Sequence, residues 1–211
     1  CRPIIHPRAG SENLNNALHP SVASAPPGSP FEDCTYAVWD EYDEFSGYRE
    51  IHFSMSGDGG MTWNHDRDDF LISANQKSKA NYGDAVNPSI AVDSNGVIHV
   101  VWAEHISVDN TWEVFYSSSI DNGKTWSGTL TGDIPVSHRL GGERDGLSMS
   151  PPKIAVGLVN NKAGELLHAV WSEYTPKDGQ EIHYSRSTNG GLTWSGMEAD
   201  EIISIPDSLY A

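Results

Sequence analysis

Apolar and polar positions alternate along the chain in short runs, each broken by Gly, Pro, Asn or Asp. Glu50-Ile51-His52-Phe53-Ser54, Glu113-Val114-Phe115-Tyr116-Ser117 and Glu181-Ile182-His183-Tyr184-Ser185 are such runs, and they align with one another. A period of two puts successive side chains on opposite faces, which predicts strands. Ahead of each lies a run ending in Trp-x-Glu: Ala37-Val38-Trp39-Asp40-Glu41, Val100-Val101-Trp102-Ala103-Glu104 and Ala169-Val170-Trp171-Ser172-Glu173. Ahead of those comes a run led by proline, at 20–23, 88–92 and 152–156, and a shorter run closes each set at 70–73, 133–137 and 201–204. Each set predicts four strands, A to D, and no helix is required anywhere. Residues 93–96 and 160–164 read as A–B turns, and 140–149 as a Gly-rich D–A loop.

Between strands C and D stands one pattern three times, S-x-D/N-x-G-x-T-W. Its copies are Ser56-Gly57-Asp58-Gly59-Gly60-Met61-Thr62-Trp63, Ser119-Ile120-Asp121-Asn122-Gly123-Lys124-Thr125-Trp126 and Ser187-Thr188-Asn189-Gly190-Gly191-Leu192-Thr193-Trp194. The Asp or Asn can accept hydrogen bonds from amides of its own turn. Gly60, Gly123 and Gly191 can take the positive φ that the turn needs. Trp63, Trp126 and Trp194 can bury large rings at equivalent places against the hairpin base. By itself the pattern closes a hairpin and carries no chemistry.

The repeats set the expected organisation. Residues 1–18 read as the D strand of a preceding repeat plus a linker, 19–75 as repeat 1, 84–138 as repeat 2 and 148–206 as repeat 3. Pro3-Ile4-Ile5-His6 stands as far ahead of Pro20 as Pro135-Val136-Ser137-His138 does ahead of Pro152, hence the D-strand reading. Four antiparallel strands per repeat form a propeller blade, and rings run from about four to eight blades. Three blades leave apolar faces at both ends that demand partners. The expectation is therefore an all-β propeller with three four-stranded blades visible, part of a six-bladed or longer assembly. Further blades or neighbouring chains would complete it, with Pro3–His6 paired outside these 211 residues.

Charge narrows the partners. The formal net charge is −16 and the pI near 4.7. No basic stripe can neutralise phosphates, which argues against nucleic acid and anionic membrane surfaces. The densest acidic cluster, Asp40 to Glu44, reads as solvated surface. No run of about 18 apolar residues is present, so no transmembrane segment is expected. The cysteines are Cys1 and Cys34. In an extracellular setting they are candidates for a disulfide, and Cys1 at a mature terminus is compatible with a lipid anchor. No zinc-like cluster, no D-x-D-x-D-G calcium string, no P-loop and no G-x-G-x-x-G stands in the sequence, so neither metal nor cofactor is expected.

The S-x-D/N-x-G-x-T-W copies resemble the Asp-box, or bacterial neuraminidase repeat, of sialidase-like β-propellers. Ser56, Asp58, Gly60 and Trp63, Ser119, Asp121, Gly123 and Trp126, and Ser187, Asn189, Gly191 and Trp194 carry the match, with Asn189 departing from the Asp of the pattern. The resemblance implies ligand binding on the face of the B–C and D–A loops, away from these turns. Sialidases of this kind hold the sialate carboxylate with three arginines, the first in an F/Y-R-I-P string. Cys1-Arg2-Pro3-Ile4 does not match that string. Arg49, Arg139 and Arg144 fall on the loop face, whereas Arg67 and Arg186 lie beside the repeated turns or on strand C.

Candidate binding residues on that face are Tyr42, Arg49, Glu104, His105, Arg139, Arg144 and Tyr174. His105 is unique to its repeat, and Tyr42 and Tyr174 hold the matching places in the others. The pairs Glu41/Glu50, Glu104/Glu113 and Glu173/Glu181 flank every B–C hairpin. Paired carboxylates can hydrolyse glycosides, but a group repeated in each blade reads as structural. His52, His99, His168 and His183 alternate within strands and read likewise. The expected function is a secreted or cell-surface, non-catalytic module that binds glycan or protein or packs into an extracellular assembly. The alternatives are an exo-sialidase or other glycoside hydrolase completed outside this segment, and a purely structural, polymerising repeat unit.

Overall fold

The computed structural model describes residues 16–44, 46–63, 70–73, 82–108, 110–128, 132–137, 148–159, 162–175, 179–197 and 200–204. Pro3–His6, Cys1, Arg139 and Arg144 lie outside the described residues. The chain forms three antiparallel sheets. The first holds β1 (Leu18–Ser24), β2 (Thr35–Asp43), β3 (Tyr48–Ser56) and β4 (Phe70–Leu71) in chain order. The second holds β5 (Tyr82–Val92), β6 (Ile98–Ile106), β7 (Thr111–Ser119) and β8 (Ile134–Pro135). In the third, β9 (Ser148–Met149) pairs with β11 beside the path β10 (Lys153–Val159), β11 (Lys162–Thr175), β12 (Gly179–Ser187) and β13 (Glu201–Ile202).

The alternation predicted these strands, and the structure lengthens several. The first strand of sheet 2 starts at Tyr82, ahead of Pro88, because a register shift between Val86 and Ser89 absorbs the proline. Ser148–Met149, expected in a loop, already pairs with Glu173 and Tyr174. Lys162–Gly164, expected in a turn, belongs to β11. Ser195–Met197 forms a single 3-10 turn after Trp194, where no helix was expected.

The paired glutamates are structural in this fold. Glu41 faces Glu50, Glu104 faces Glu113 and Glu173 faces Glu181 in register, and all six are buried. The B-strand member accepts from the indole two residues back: Trp39 Nε1 to Glu41 Oε2 at 3.0 Å, Trp102 to Glu104 at 3.0 Å, and Trp171 to Glu173 at 2.9 Å. The C-strand member accepts from a D-strand serine hydroxyl: Ser73 to Glu50 at 2.6 Å, with Ser137 to Glu113 and Ser204 to Glu181 alike. Each serine also accepts the amide next to that glutamate, from Ile51, Val114 and Ile182. One hydroxyl thus ties strand D to strand C beyond the short β4, β8 and β13. Buried carboxylates are retained only when hydrogen-bonded in this way.

The three repeated turns are built alike. In the first, Asp58 Oδ1 accepts the Ser56 hydroxyl at 2.7 Å and the Thr62 amide at 2.8 Å, and Oδ2 accepts the Thr62 hydroxyl at 2.6 Å. Asp121 does the same with Ser119 and Thr125. Asn189 keeps the acceptor: its Oδ1 takes the Ser187 hydroxyl at 2.9 Å and the Thr193 amide at 3.0 Å, and its Nδ2 donates to Thr193 Oγ1. Gly60, Gly123 and Gly191 have φ of 90°, 81° and 90° and donate their amides to the serine hydroxyls. The Asn for Asp exchange therefore preserves the turn.

The sheets meet through the tryptophans that end these turns. Trp126 of sheet 2 packs edge-on against Phe53 of sheet 1, with centroids 5.1 Å apart. Trp194 of sheet 3 packs edge-on against Tyr116 of sheet 2 at 5.3 Å. Both indoles are buried, within the two apolar clusters that join sheets 1 and 2 and sheets 2 and 3. Trp63 departs from the expected equivalence, since it is only half-buried. Among the described residues, no aromatic ring is seated against it as Phe53 and Tyr116 are against Trp126 and Trp194. Cys34 is a buried free thiol.

Two outcomes follow from this packing. Trp126→Ala should lower stability by about 3–5 kcal/mol, and Trp63→Ala by about 1–2 kcal/mol, in urea melts. Equal losses would contradict the asymmetry. The turns should also respond differently to acid. The Thr62 hydroxyl and amide, with the Ser56 hydroxyl, hold the Asp58 carboxyl down to about 2. Burial opposes the same trend at Asp121, but the Thr125 hydroxyl and amide outweigh it and the carboxyl is lowered. Folded values below unfolded ones mean a contribution present above about pH 4 and lost as pH falls further. Asn189 has no proton to gain. Amide exchange at Thr62 and Thr125 should therefore accelerate on acidification from about pH 4, relative to that at Thr193.

Candidate functional site

The ends of the sheets opposite the repeated turns gather the chemistry. There the B strands leave and the A strands begin, because β1 pairs with β2, and β5 with β6, in antiparallel register. The A strands are distorted at this end. His19 and Asn87 hold matching places, each before a proline, with φ of 51° and 58°. Non-glycine residues seldom take this region, and a following proline disfavours it further. Register shifts mark both places as bulges, between Leu18 and Ser21 and between Val86 and Ser89. Bulges of this kind re-aim side chains. In sheet 3 the matching residue is Pro151, whose ring forbids positive φ, and there the strand is interrupted between β9 and β10.

The bulges bring two loops onto one carboxylate. Asp40 is fully buried. Its Oδ1 takes His19 Nδ1 at 2.7 Å and the Asn87 amide at 3.0 Å. Its Oδ2 takes Arg49 Nε at 2.6 Å, and Arg49 Nη2 stands 2.5 Å from the same oxygen, a charge-assisted pair. Arg49 Nη2 also donates to the carbonyls of Asn16 and Asp40, and the Arg49 amide donates to Asp84 Oδ1 at 2.8 Å. Because an ionised carboxylate only accepts, the His19 proton sits on Nδ1. Half of the His19 side chain faces solvent, and its Nε2 is the atom of the ring left to meet a ligand.

Aromatic side chains stand at the same end of the three sheets. Tyr42 faces Arg49, His105 faces Trp112 and Tyr174 faces Gln180 across the B–C hairpins. His105 and Trp112 lie with centroids 5.2 Å apart, and His105 Nε2 reaches Asn110 Oδ1 at 3.2 Å. Tyr42, Arg49, His105 and Trp112 are half-buried, and Tyr174 is exposed.

Of the sequence-predicted candidates, Tyr42, Arg49, His105 and Tyr174 thus share this end. Arg49 is engaged by Asp40 rather than presented as a free guanidinium. Glu104 does not fit a binding role, because it is fully buried with its carboxylate beneath Trp102. Arg139 and Arg144 lie outside the described residues. His19, Asp84, Asn87 and Trp112 were not singled out from the sequence, and Asp40 was read only as part of a solvated acidic cluster. The one available signal was the recurrence of a polar residue before proline at His19 and Asn87.

Among the described residues, one group has ligand atoms close enough for a metal. Glu173, His183 and Asp200 bring donor atoms within 4.8 Å of one another. Glu173 is already held by Trp171, and His183 stacks on Trp171 at 5.9 Å. Trp39, Glu41 and His52 repeat that packing in sheet 1, with rings again 5.9 Å apart, so the arrangement belongs to the sheet interior.

No protein-family model matches the sequence, and no curated protein matches it either. Solved structures match the fold. An α-L-arabinanase from Penicillium chrysogenum complexed with arabinobiose aligns at TM-score 0.58 and 16% identity, over 90% of this chain and 50% of that one. A sialidase from Trypanosoma rangeli in complex with sialic acid aligns at 0.53 and 13%, over 86% and 30%. An endo-arabinase from Bacteroides thetaiotaomicron aligns at 0.52 and 14%, over 93% and 66%. The three sheets are blades of a β-propeller, and the chain spans about half the length of the Penicillium arabinanase.

The Asp40 cluster should be a stability determinant of this end. Asp40→Ala would strand the half-buried Arg49 and cost about 3 kcal/mol, whereas Asp40→Asn keeps an acceptor and should cost less. Urea midpoints of the two variants check the order.

Proposed function

We propose that this chain is an Asp-box β-propeller module that binds glycan at the blade end carrying His19, Arg49, His105, Trp112 and Tyr174, without turnover of its own. The single observation behind the reading is that a braced polar cluster and several aromatic side chains stand at the same end of the sheets. Sugar rings present apolar faces to aromatic groups and hydroxyls to polar ones. The His19 Nε2 edge offers a polar contact, and His105, Trp112 and Tyr174 offer ring surfaces. The repeated S-x-D/N-x-G-x-T-W turns support the Asp-box assignment by their common hydrogen-bond pattern.

The fold relatives include proteins described with arabinobiose and with sialic acid. We extend to this chain only the class, a saccharide. Turnover is disfavoured because Asp40, the buried carboxylate of the cluster, already accepts from four donors on two oxygens. A general acid or base must be free to exchange a proton with substrate. A secreted or cell-surface setting, where extended glycans are met, belongs to the same proposal, as do further blades beyond these three.

Calorimetric titration of the 211-residue chain with arabinobiose and with sialyllactose tests the reading. Binding of either sugar is expected, weakened about tenfold by Trp112→Ala, which corresponds to roughly 1.4 kcal/mol. No heat with either sugar would overturn glycan binding at this end for these two classes. Release of product from fluorogenic sialoside or arabinofuranoside, abolished by Arg49→Ala, would overturn the non-catalytic reading.

A further inference from the structure

Asp40 holds two segments in a conformation that the backbone does not favour, and that hold fixes which atoms face outward. His19 and Asn87 both keep positive φ ahead of a proline. Both also hydrogen-bond Asp40 Oδ1, one through its ring and one through its amide. Strained residues of this kind persist where their surroundings over-determine them. Arg49 takes the other oxygen of Asp40 and balances its charge. With its Nδ1 proton committed to Asp40, the neutral His19 ring turns outward a nitrogen that carries a lone pair and no hydrogen.

The formal charge around this ring is one-sided. β1 packs against β2 and β5, and β3 brings in Arg49. Arg49 is the one Arg or Lys of these four strands, against the carboxylates Asp40, Glu41, Asp43, Glu50 and Asp84. Its guanidinium is engaged by the Asp40 side chain and by the carbonyls of Asn16 and Asp40, and its amide by Asp84. A ligand carboxylate only accepts hydrogen bonds. At this end it would meet a lone pair on His19, an arginine already committed and an excess of like charge. A sugar hydroxyl donates as well as accepts, so it suits His19 Nε2.

We infer that this end selects neutral saccharides over acidic ones, with His19 Nε2 accepting a sugar hydroxyl and Asp40 as the positioning residue that sets the ring. The inference rests on the glycan reading above and narrows it to a class. The selection depends on pH. Protonation puts a hydrogen on Nε2 and turns it into a donor. A hydroxyl suits that form too, as acceptor, whereas a carboxylate suits that form alone. The preference for a neutral sugar should therefore be strong at about pH 8 and relax at about pH 5, the span over which histidine changes charge. His105 is a second histidine at this end, with its Nε2 on Asn110 and its ring against Gly83. Substitution of His19 separates the two.

Calorimetric titration of the 211-residue chain with sialyllactose and with its methyl ester, a pair that differs by one negative charge, tests the selection. At about pH 8 the ester should bind about tenfold more tightly than the acid, and at about pH 5 the difference should shrink. In His19→Ala the difference should no longer respond to pH. No gain on esterification at about pH 8, or a pH response that survives His19→Ala, would overturn the inference. Heat with arabinobiose alongside either result leaves glycan binding standing and sinks the selection alone. No heat with any of the three sugars sinks both. His19→Ala removes a partner of a buried carboxylate, so the nitrogen-15 shifts of the wild-type His19 ring supply a second measurement without any sugar. They should show the proton on Nδ1 at about pH 8, with Asp40→Asn moving it toward Nε2. A wild-type ring protonated on Nε2 alone would overturn the assigned role of Asp40 and the inference with it.

Discussion

The structure depends on a ring seated over a glycine. Phe53 over Gly123 and Tyr116 over Gly191 fix how far apart and at what angle successive blades stand. Both glycines serve twice. Their positive φ closes the hairpin, and their missing side chain admits the ring of the blade before. A turn motif that looks purely local in sequence is therefore also the tertiary contact. The tryptophan that follows is buried where a described blade precedes it, as at Trp126 and Trp194, while Trp63 is half out.

A second constraint works inside each blade. Strand D is only two residues of ladder, yet its serine bonds both the C-strand amide and the C-strand glutamate. The facing glutamate on strand B is held by the indole of its own strand. Six buried carboxylates are thus hydrogen-bonded within the sheets. The blades differ from one another at the opposite end. His19 and Asn87 bulge the first two A strands, Pro151 interrupts the third, and Arg49 has Trp112 and Gln180 in its place in the other blades.

That contrast separates a scaffold from a site within one small repeat array. Positions shared by all blades answer for folding: the turn serines, the Trp-x-Glu pairs and the D-strand serines. Positions that differ between blades answer for an asymmetric surface. Asp40 belongs to the second class, because Ala103 and Ser172 replace it elsewhere, and it alone collects an arginine, a histidine and a backbone amide from three segments.

The sequence alone determined the strands, their order and the turns between them. Period-two alternation, proline, and three copies of S-x-D/N-x-G-x-T-W are local signals, and local hydrogen bonds such as Asp121 to Thr125 realise them without help from distant residues. It also placed Tyr42, Arg49, His105 and Tyr174 at one end, because strand direction alternates regularly. Only the tertiary structure decided what those side chains do. Glu104 is turned under Trp102, Arg49 is taken by Asp40, and His19 reaches across from β1, none of which a period of two can express. The unequal burial of the three tryptophans was likewise beyond the sequence. Identical motifs give identical turns, but burial is set by the neighbour, and a neighbour is a property of the fold.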